Sequence, residues 1–261
     1  MHGTKFQMRG KRKTAMIRRT LTRAFRLFRG DRGSRFALAE TISRQLVPAH
    51  FFGEDSKTWN LIAKGALPFE PHERGRLARR WDRLWVLHQY ASTLSEVEGD
   101  YVEFGVFQGD SARVLLASNP RPRYWGFDSF EGLSRPTPSV DGNYWRAGDL
   151  SSSYSAVVSQ LSEWGDRVRL IRGWIPDVFQ SADVPSLVRV AHIDVDLYEP
   201  TAASIEFAAG RLAAGGVIIC DDYGFATCPG ATRAIDEFVA SHEGWKLVHL
   251  PSGQGILSRR L

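Results

Sequence analysis

Cysteine is nearly absent from this 261-residue chain: only Cys220 and Cys228 occur. The first falls inside an apolar, strand-like run and the second in the loop after it. The pair therefore supplies neither a disulfide framework nor a zinc ligand set, and a reducing compartment fits. No apolar run approaches the roughly 20 residues of a bilayer span, and the N-terminus lacks an uninterrupted signal-peptide core. A cytoplasmic chain is expected. Internal repeats and low-complexity tracts are also missing. Acids are scarce at one end only: residues 1–35 hold twelve Lys or Arg against one acid, Asp31. Since the whole chain carries +5, the arm's surplus of eleven positive charges leaves the remainder six negative. The pI near 9.4 belongs to the arm.

Within the arm, Met16, Ile17, Leu21, Phe25, Leu27 and Phe28 interleave with Arg18, Arg19, Arg23, Arg26 and Arg29 at near-helical spacing. The pattern resembles a basic amphipathic segment suited to an anionic lipid surface or another polyanion, and equally a solvated extension with no specific ligand. Three regions are expected: this arm over 1–35, a helical N-terminal segment over 36–98, and an α/β domain over 99–261. Residues 72–97 predict helix from Leu77, Trp81, Leu84, Trp85, Leu87 and Leu94. Beyond Gly99, strand candidates 101–105, 124–128, 168–172, 188–194 and 217–221 alternate with helix candidates near 110–118, 154–164, 199–212 and 230–241. That alternation is the mark of a doubly wound, mostly parallel sheet. Segments 245–250 and 255–258 add a closing antiparallel hairpin, making seven strands.

Four aspartates stand out. Asp194 and Asp196 end one apolar run, and Asp221 and Asp222 end another. Each alone is as well read as a helix cap or a turn former. Two pairs at two strand ends predict a shared polar site, because ligands of such sheets sit at the strands' carboxyl ends. Crowded carboxylates repel unless protons or a cation neutralise them, and an all-oxygen set suits a hard divalent ion.

A nucleoside-binding pattern precedes the acids. The first strand runs through Glu103 and Gly105 into Gly109, Asp110 and Ser111, a glycine turn opening a helix. Glycines there permit close backbone approach, and the helix start offers N–H donors. The next strand ends at Asp128, about twenty residues beyond the glycines, where a carboxylate accepts the hydroxyl hydrogens of a ribose. The third ends at Gly173 and Trp174, which border an adenine or belong to the core.

The runs Tyr-Val-Glu-Phe-Gly-Val-Phe-Gln-Gly-Asp-Ser, Gly-Phe-Asp-Ser-Phe-Glu-Gly-Leu, His-Ile-Asp-Val-Asp-Leu-Tyr-Glu-Pro-Thr and Cys-Asp-Asp-Tyr-Gly resemble the macrocin O-methyltransferase (TylF) family over about residues 99 to 250. The resemblance implies a class I methyltransferase fold, S-adenosylmethionine as methyl donor, and Mg2+ held by Asp194, Asp221 and Asp222. It also implies a saccharide or glycosylated metabolite as acceptor, Glu103 and Gly105 beside the methionine part of the cofactor, and Asp128 on the ribose. The basic arm and the stretch Thr137 to Ser153 depart from the family pattern.

A sugar hydroxyl is a poor nucleophile at neutral pH, so the acceptor oxygen needs preparing while the sulfonium methyl is already activated. A metal lowers the hydroxyl's pKa and aligns it, and Asp196 is the candidate proton acceptor, with Asp194 as the alternative. His192 reads as a satisfied core histidine. Tyr198 and Tyr223 flank the acids, and Tyr144, Trp145 and Arg146 lie in a loop able to cover a sugar. Two competing readings are a methyltransferase of a catechol or other vicinal diol, and a binding protein acting through its basic arm. Expected partners are a small-molecule or saccharide acceptor, an anionic membrane surface that would make the protein peripheral, and a second copy of the chain. Nucleic acid is disfavoured, because the domain without its arm is acidic and no Asn/Asp-Pro-Pro-aromatic run occurs.

Overall fold

The computed structural model describes residues 81–180 and 183–259. The arm over 1–35, the segment up to residue 80 and the first part of the predicted 72–97 helix lie outside them. The described part begins with α1 (Trp81–Thr93) and continues through β1 (Asp100–Phe104), α2 (Asp110–Ser118) and β2 (Tyr124–Asp128). After a short helix α3 (Pro138–Asp141) come α4 (Tyr154–Gln160), β3 (Val168–Arg172), β4 (Val188–Ile193) and α5 (Tyr198–Ala209). β5 (Leu212–Cys220), α6 (Pro229–Ser241), β6 (Trp245–His249) and β7 (Gly255–Arg259) complete the order. Among the described residues no helix is long and apolar enough to cross a membrane.

One seven-stranded sheet runs β3-β2-β1-β4-β5-β7-β6. Its first five strands are parallel, and β7 pairs antiparallel with both β5 and β6. Strand alternation sends neighbouring residues to opposite faces. Tyr101 and Tyr124 pack with Leu84 and Leu87 of α1 and Leu115 of α2, whereas Phe104 and Phe127 pack with Ile205 of α5 and Phe238 of α6. Both faces are thus covered, which is why these strands read as continuous apolar runs.

The expected alternation holds with displaced boundaries: the helix expected over 199–212 ends at Ala209 and the one expected over 72–97 ends at Thr93. β5 starts at Leu212 and not at Val217. Leu212 pairs with Val188 and Val217 with Val190, so residues 213–216 bulge out of the ladder. Gly215 takes φ 81 there, and a Cβ on Gly216 would meet the Arg189 carbonyl oxygen at 2.9 Å. An Ala-Ala-Gly-Gly run carries no period from which a bulge is predictable. The helix expected over 154–164 is likewise divided into α4 and a 3-10 turn, Ser162–Arg167, at whose centre Gly165 takes φ 50.

Candidate active site

Backbone hydrogen bonds stitch the carboxyl ends of the five parallel strands into a row. Gly173 N–H donates to Asp128 O, Gly105 N–H to Phe127 O, Asp194 N–H to Phe104 O and Asp221 N–H to Ile193 O, at 2.8–3.0 Å. Gly105 is indispensable to the row. It has φ 87, and a Cβ would lie 2.0 Å from the Asp194 carbonyl oxygen, so only glycine lets the end of β1 meet the end of β4. Above the row opens a cavity of about 320 Å³.

One end of this cavity is lined by Gly105, Phe107, Asp128, Ser129, Gly173 and Trp174. Asp128 is immobilised: one carboxylate oxygen accepts the N–H groups of Val106 and Phe107, both at 2.8 Å, and the other accepts Phe130 N–H at 2.6 Å. Carboxylate oxygens have about four lone-pair sites, so acceptor capacity remains. Gly109 and Ser111 do not line the cavity. Gly109 is the left-handed N-cap of α2, with φ 79, and Ser111 is buried inside that helix. Glu103 is also absent from the wall. Strand alternation turns it away from the cavity, fully buried, where it accepts the Tyr124 hydroxyl hydrogen and a bond from His192 Nδ1 at 2.7 Å. Glu103 therefore lies behind the cavity wall and not in it.

The other end is acidic. Asp194, Asp196 and Asp222 line it, and Asp221 sits behind them, 1% exposed. Their ligand atoms fall into two groups, His192–Asp194–Asp221 and Asp196–Asp222–Cys228, each within 4.8 Å. The three acids implied as metal ligands are therefore divided between the groups. Asp196 has φ 62, its amide donates to Asp222 Oδ2 at 3.0 Å, and its carboxylate accepts Cys228 Sγ–H at 3.3 Å. Burial, and then the Asp194 charge, push Asp196 up to about 7. Burial and the charges of Asp196, Asp194 and Asp221 hold Asp222 well above the usual carboxylate range.

Asp221 is tied from behind by a buried ion pair with Arg83, by Gln254 Nε2 at 2.8 Å and by His192 Nε2 at 3.4 Å. His192 is the satisfied core histidine the strand period predicts. Burial alone would lower its pKa, but hydrogen bonds to Asp221 and Glu103 and their charges outweigh burial and raise it to about 10. Each of its ring nitrogens faces a carboxylate, Nδ1 that of Glu103 and Nε2 that of Asp221.

The stretch after β2 forms a cover. Leu133 N–H donates to Asp149 O and Gly148 N–H to Leu133 O, closing the loop on itself. Asp141 pins it to the start of α5, accepting Tyr198 N–H at 2.8 Å and Thr137 N–H at 2.7 Å. Trp145 Nε1–H donates to Cys228 Sγ at 3.4 Å, and Tyr144, Trp145 and Leu150 face the cavity. Arg146 does not line it, nor do Tyr198 and Tyr223, whose hydroxyls donate to Glu237 and Asp236 on α6.

Arg83, Phe225 and Cys228 line the cavity without having been foreseen from the sequence, and Gln254 braces Asp221. Arg83 had one signal, a cation beside Leu84 and one turn from Leu87 on the apolar face of α1. Gln254 had none.

The profile of the macrocin O-methyltransferase (TylF) family matches residues 78–246, well over half of the chain. The chain is 32% identical over 153 residues to the 8-demethyl-8-(2,3-dimethoxy-alpha-L-rhamnosyl)-tetracenomycin-C 4'-O-methyltransferase of Streptomyces olivaceus, covering 52% of this chain and 58% of that protein. It is 31% identical over 168 residues to the demethyldecarbamoylnovobiocin O-methyltransferase of Streptomyces niveus, covering 57% and 61%. These alignments span less than two thirds of each curated relative. The solved O-methyltransferase NovP shares the fold, with a TM-score of 0.57 at 24% identity over 88% of this chain and 99% of that one.

Proposed function

From the premise that the chain belongs to the macrocin O-methyltransferase family, we propose that it transfers a methyl group from S-adenosylmethionine to a hydroxyl of a saccharide or glycosylated metabolite. The observation that carries this reading is a single cavity with a glycine-floored end at β1–β3 and a carboxylate-rich end at β4–β5. The glycine end fits the nucleoside part of the cofactor: Gly105 and Gly173 keep the floor low, Asp128 offers a rigid acceptor to the ribose, and Trp174 presents an indole face to the adenine.

The acidic end offers a divalent cation such as Mg2+ the oxygens of Asp194 and Asp221 in one cluster and of Asp222 in the neighbouring one, and all three would hold one ion once Asp222 turns toward the pair. Carboxylate oxygens are its main donors, and a cation would offset the burial and the mutual repulsion that raise Asp196 and Asp222. Gln254 and His192 act on Asp221 as orienting partners do on a ligating carboxylate. When bound, the ion would polarise the acceptor oxygen, and the sulfonium would supply an activated methyl group. The remaining work falls to this chain's own residues. Asp196, locked by its left-handed backbone, receives the hydroxyl proton. Trp145 and Tyr144 supply flat faces for the acceptor and exclude water above it.

Those aromatic walls, with Phe225 in the cluster against which Trp145 packs, suit a catechol as well as a sugar, so the vicinal-diol reading stays in the test. Purified protein is incubated with S-adenosylmethionine, Mg2+ and a panel of sugars, glycosides and catechols, and products are weighed by mass spectrometry. A one-methyl mass gain on a glycoside supports the proposal. A gain on catechols alone moves the assignment to the second reading, and no gain on any hydroxyl acceptor removes both.

A further inference from the structure

Arg83 enters the site from a helix 138 residues away in sequence from the acid it pairs with. Its side chain is 9% exposed and that of Asp221 1%. Among the described residues it is the one lysine or arginine lining the cavity, on the same wall as Asp194, Asp196 and Asp222. Its guanidinium lies 5.1 Å from the centre of the Phe225 ring. Gln254, fully buried, clamps the pair by donating to the Arg83 carbonyl oxygen at 3.5 Å and to Asp221 Oδ1 at 2.8 Å. A guanidinium is permanently charged and weakly hydrated, and it tolerates such a place far better than an ammonium.

Both oxygens of Asp221 are engaged. Oδ1 receives Gln254 and His192, and Oδ2 receives Arg83. A cation that takes Asp221 through Oδ2 has to share that oxygen with Arg83 or displace it. Two cations on one carboxylate repel in a site of low dielectric. We propose that Arg83 is the resident counter-cation of the acid cluster, a positioning residue that holds Asp221 when no ion is present and competes with a divalent ion for it. Helix α1 thereby becomes part of the acid site and sets how tightly that site takes metal. The inference rests on the divalent-ion reading above.

The test uses the full chain and Mn2+ as the probe, with free ion followed by electron paramagnetic resonance. Arg83→Gln is expected to bind Mn2+ at least about fivefold more tightly than the wild type, because a competing charge is removed. Arg83→Lys keeps a charge but on a strongly hydrated head that fits the buried place less well, so its Mn2+ affinity should fall between those of the wild type and Arg83→Gln. Without metal the Arg83→Gln protein should melt at a lower temperature than wild type, and saturating Mn2+ should raise its midpoint by more. Equal or weaker Mn2+ affinity in Arg83→Gln overturns the proposal and leaves the metal reading standing. Absence of Mn2+ binding in the wild type and both variants removes the metal reading and this inference together. Should Arg83→Gln fail to fold, a crystal structure of the wild type with Mn2+ decides: Arg83 is expected to have left Asp221 Oδ2, and Mn2+ bound with that ion pair intact overturns the proposal.

Discussion

At the ends of β1, β2 and β3 the cavity wall carries one acid, Asp128, whereas at the ends of β4 and β5 it carries three, Asp194, Asp196 and Asp222. In the first region a single carboxylate, Asp128, is held by three amide N–H groups from residues at most 22 positions away. In the second, four aspartates, a cysteine, an arginine and a glutamine meet from α1, the ends of β4 and β5, the N-cap of α6 and the β6–β7 turn. Local hydrogen bonds make the first region rigid before any ligand arrives. The second has too many like charges to be at rest in a dry site, and Arg83 and the raised carboxylates are how it is tolerated. On the proposed function, fixed amide donors suit the end that would bind the cofactor, and groups able to change charge suit the end that would take a proton and a cation.

The comparison breaks most sharply at Asp222. Replacing it by Asn keeps the shape but removes a charge from the acidic end only, so kcat is expected to fall by roughly a thousandfold. Affinity for S-adenosylhomocysteine by calorimetry should stay within about twofold. A parallel loss of cofactor affinity would mean that the two ends are one energetic unit.

Gly105 is where the regions touch. Gly105→Ala puts a methyl group against the Asp194 carbonyl in a left-handed backbone and should cost about 3 kcal/mol or more in urea unfolding. A loss below about 1 kcal/mol would show that the strand ends separate freely. Asp128→Ala tests the backbone-built end alone. Losing its acceptor for ribose hydroxyls should weaken S-adenosylhomocysteine by about 1.5–3 kcal/mol and leave Mn2+ binding unchanged.

Smaller effects refine the picture. Trp145→Phe keeps an aromatic face but loses the donor to Cys228, so the acceptor KM should rise by the equivalent of about 0.5–1.5 kcal/mol with kcat nearly constant. A fall in kcat with KM unchanged would place Trp145 in the chemistry and not in acceptor binding. Deleting residues 1–35 should change turnover of a soluble acceptor least of all while removing salt-sensitive binding to anionic vesicles, as the charge reversal at that boundary suggests. A shortened chain that folds without turnover would make the arm part of the site.

The two regions also differ in how readily they were read from the amino acids. Apolar runs ending in Gly105, Asp128, Gly173, Asp194 and Asp221 determined the α/β alternation and put these residues at strand ends, because periodicity and turn chemistry are local properties. His192 was legible as a core residue for the same reason. Tertiary structure alone decided which carboxylates share a face. Strand alternation turns Glu103 toward Tyr124 and His192 and away from the cavity, and the adjacent pair Asp221 and Asp222 splits, one toward Arg83 and the other toward Asp196. Arg83 and Gln254, 171 residues apart, meet at Asp221 only after α1 and the β6–β7 turn have docked on the sheet. A single chain of letters records which groups are available and how each segment pairs with its neighbours. Which charge neutralises which is an energy of distance and burial, and it exists only once the chain has closed.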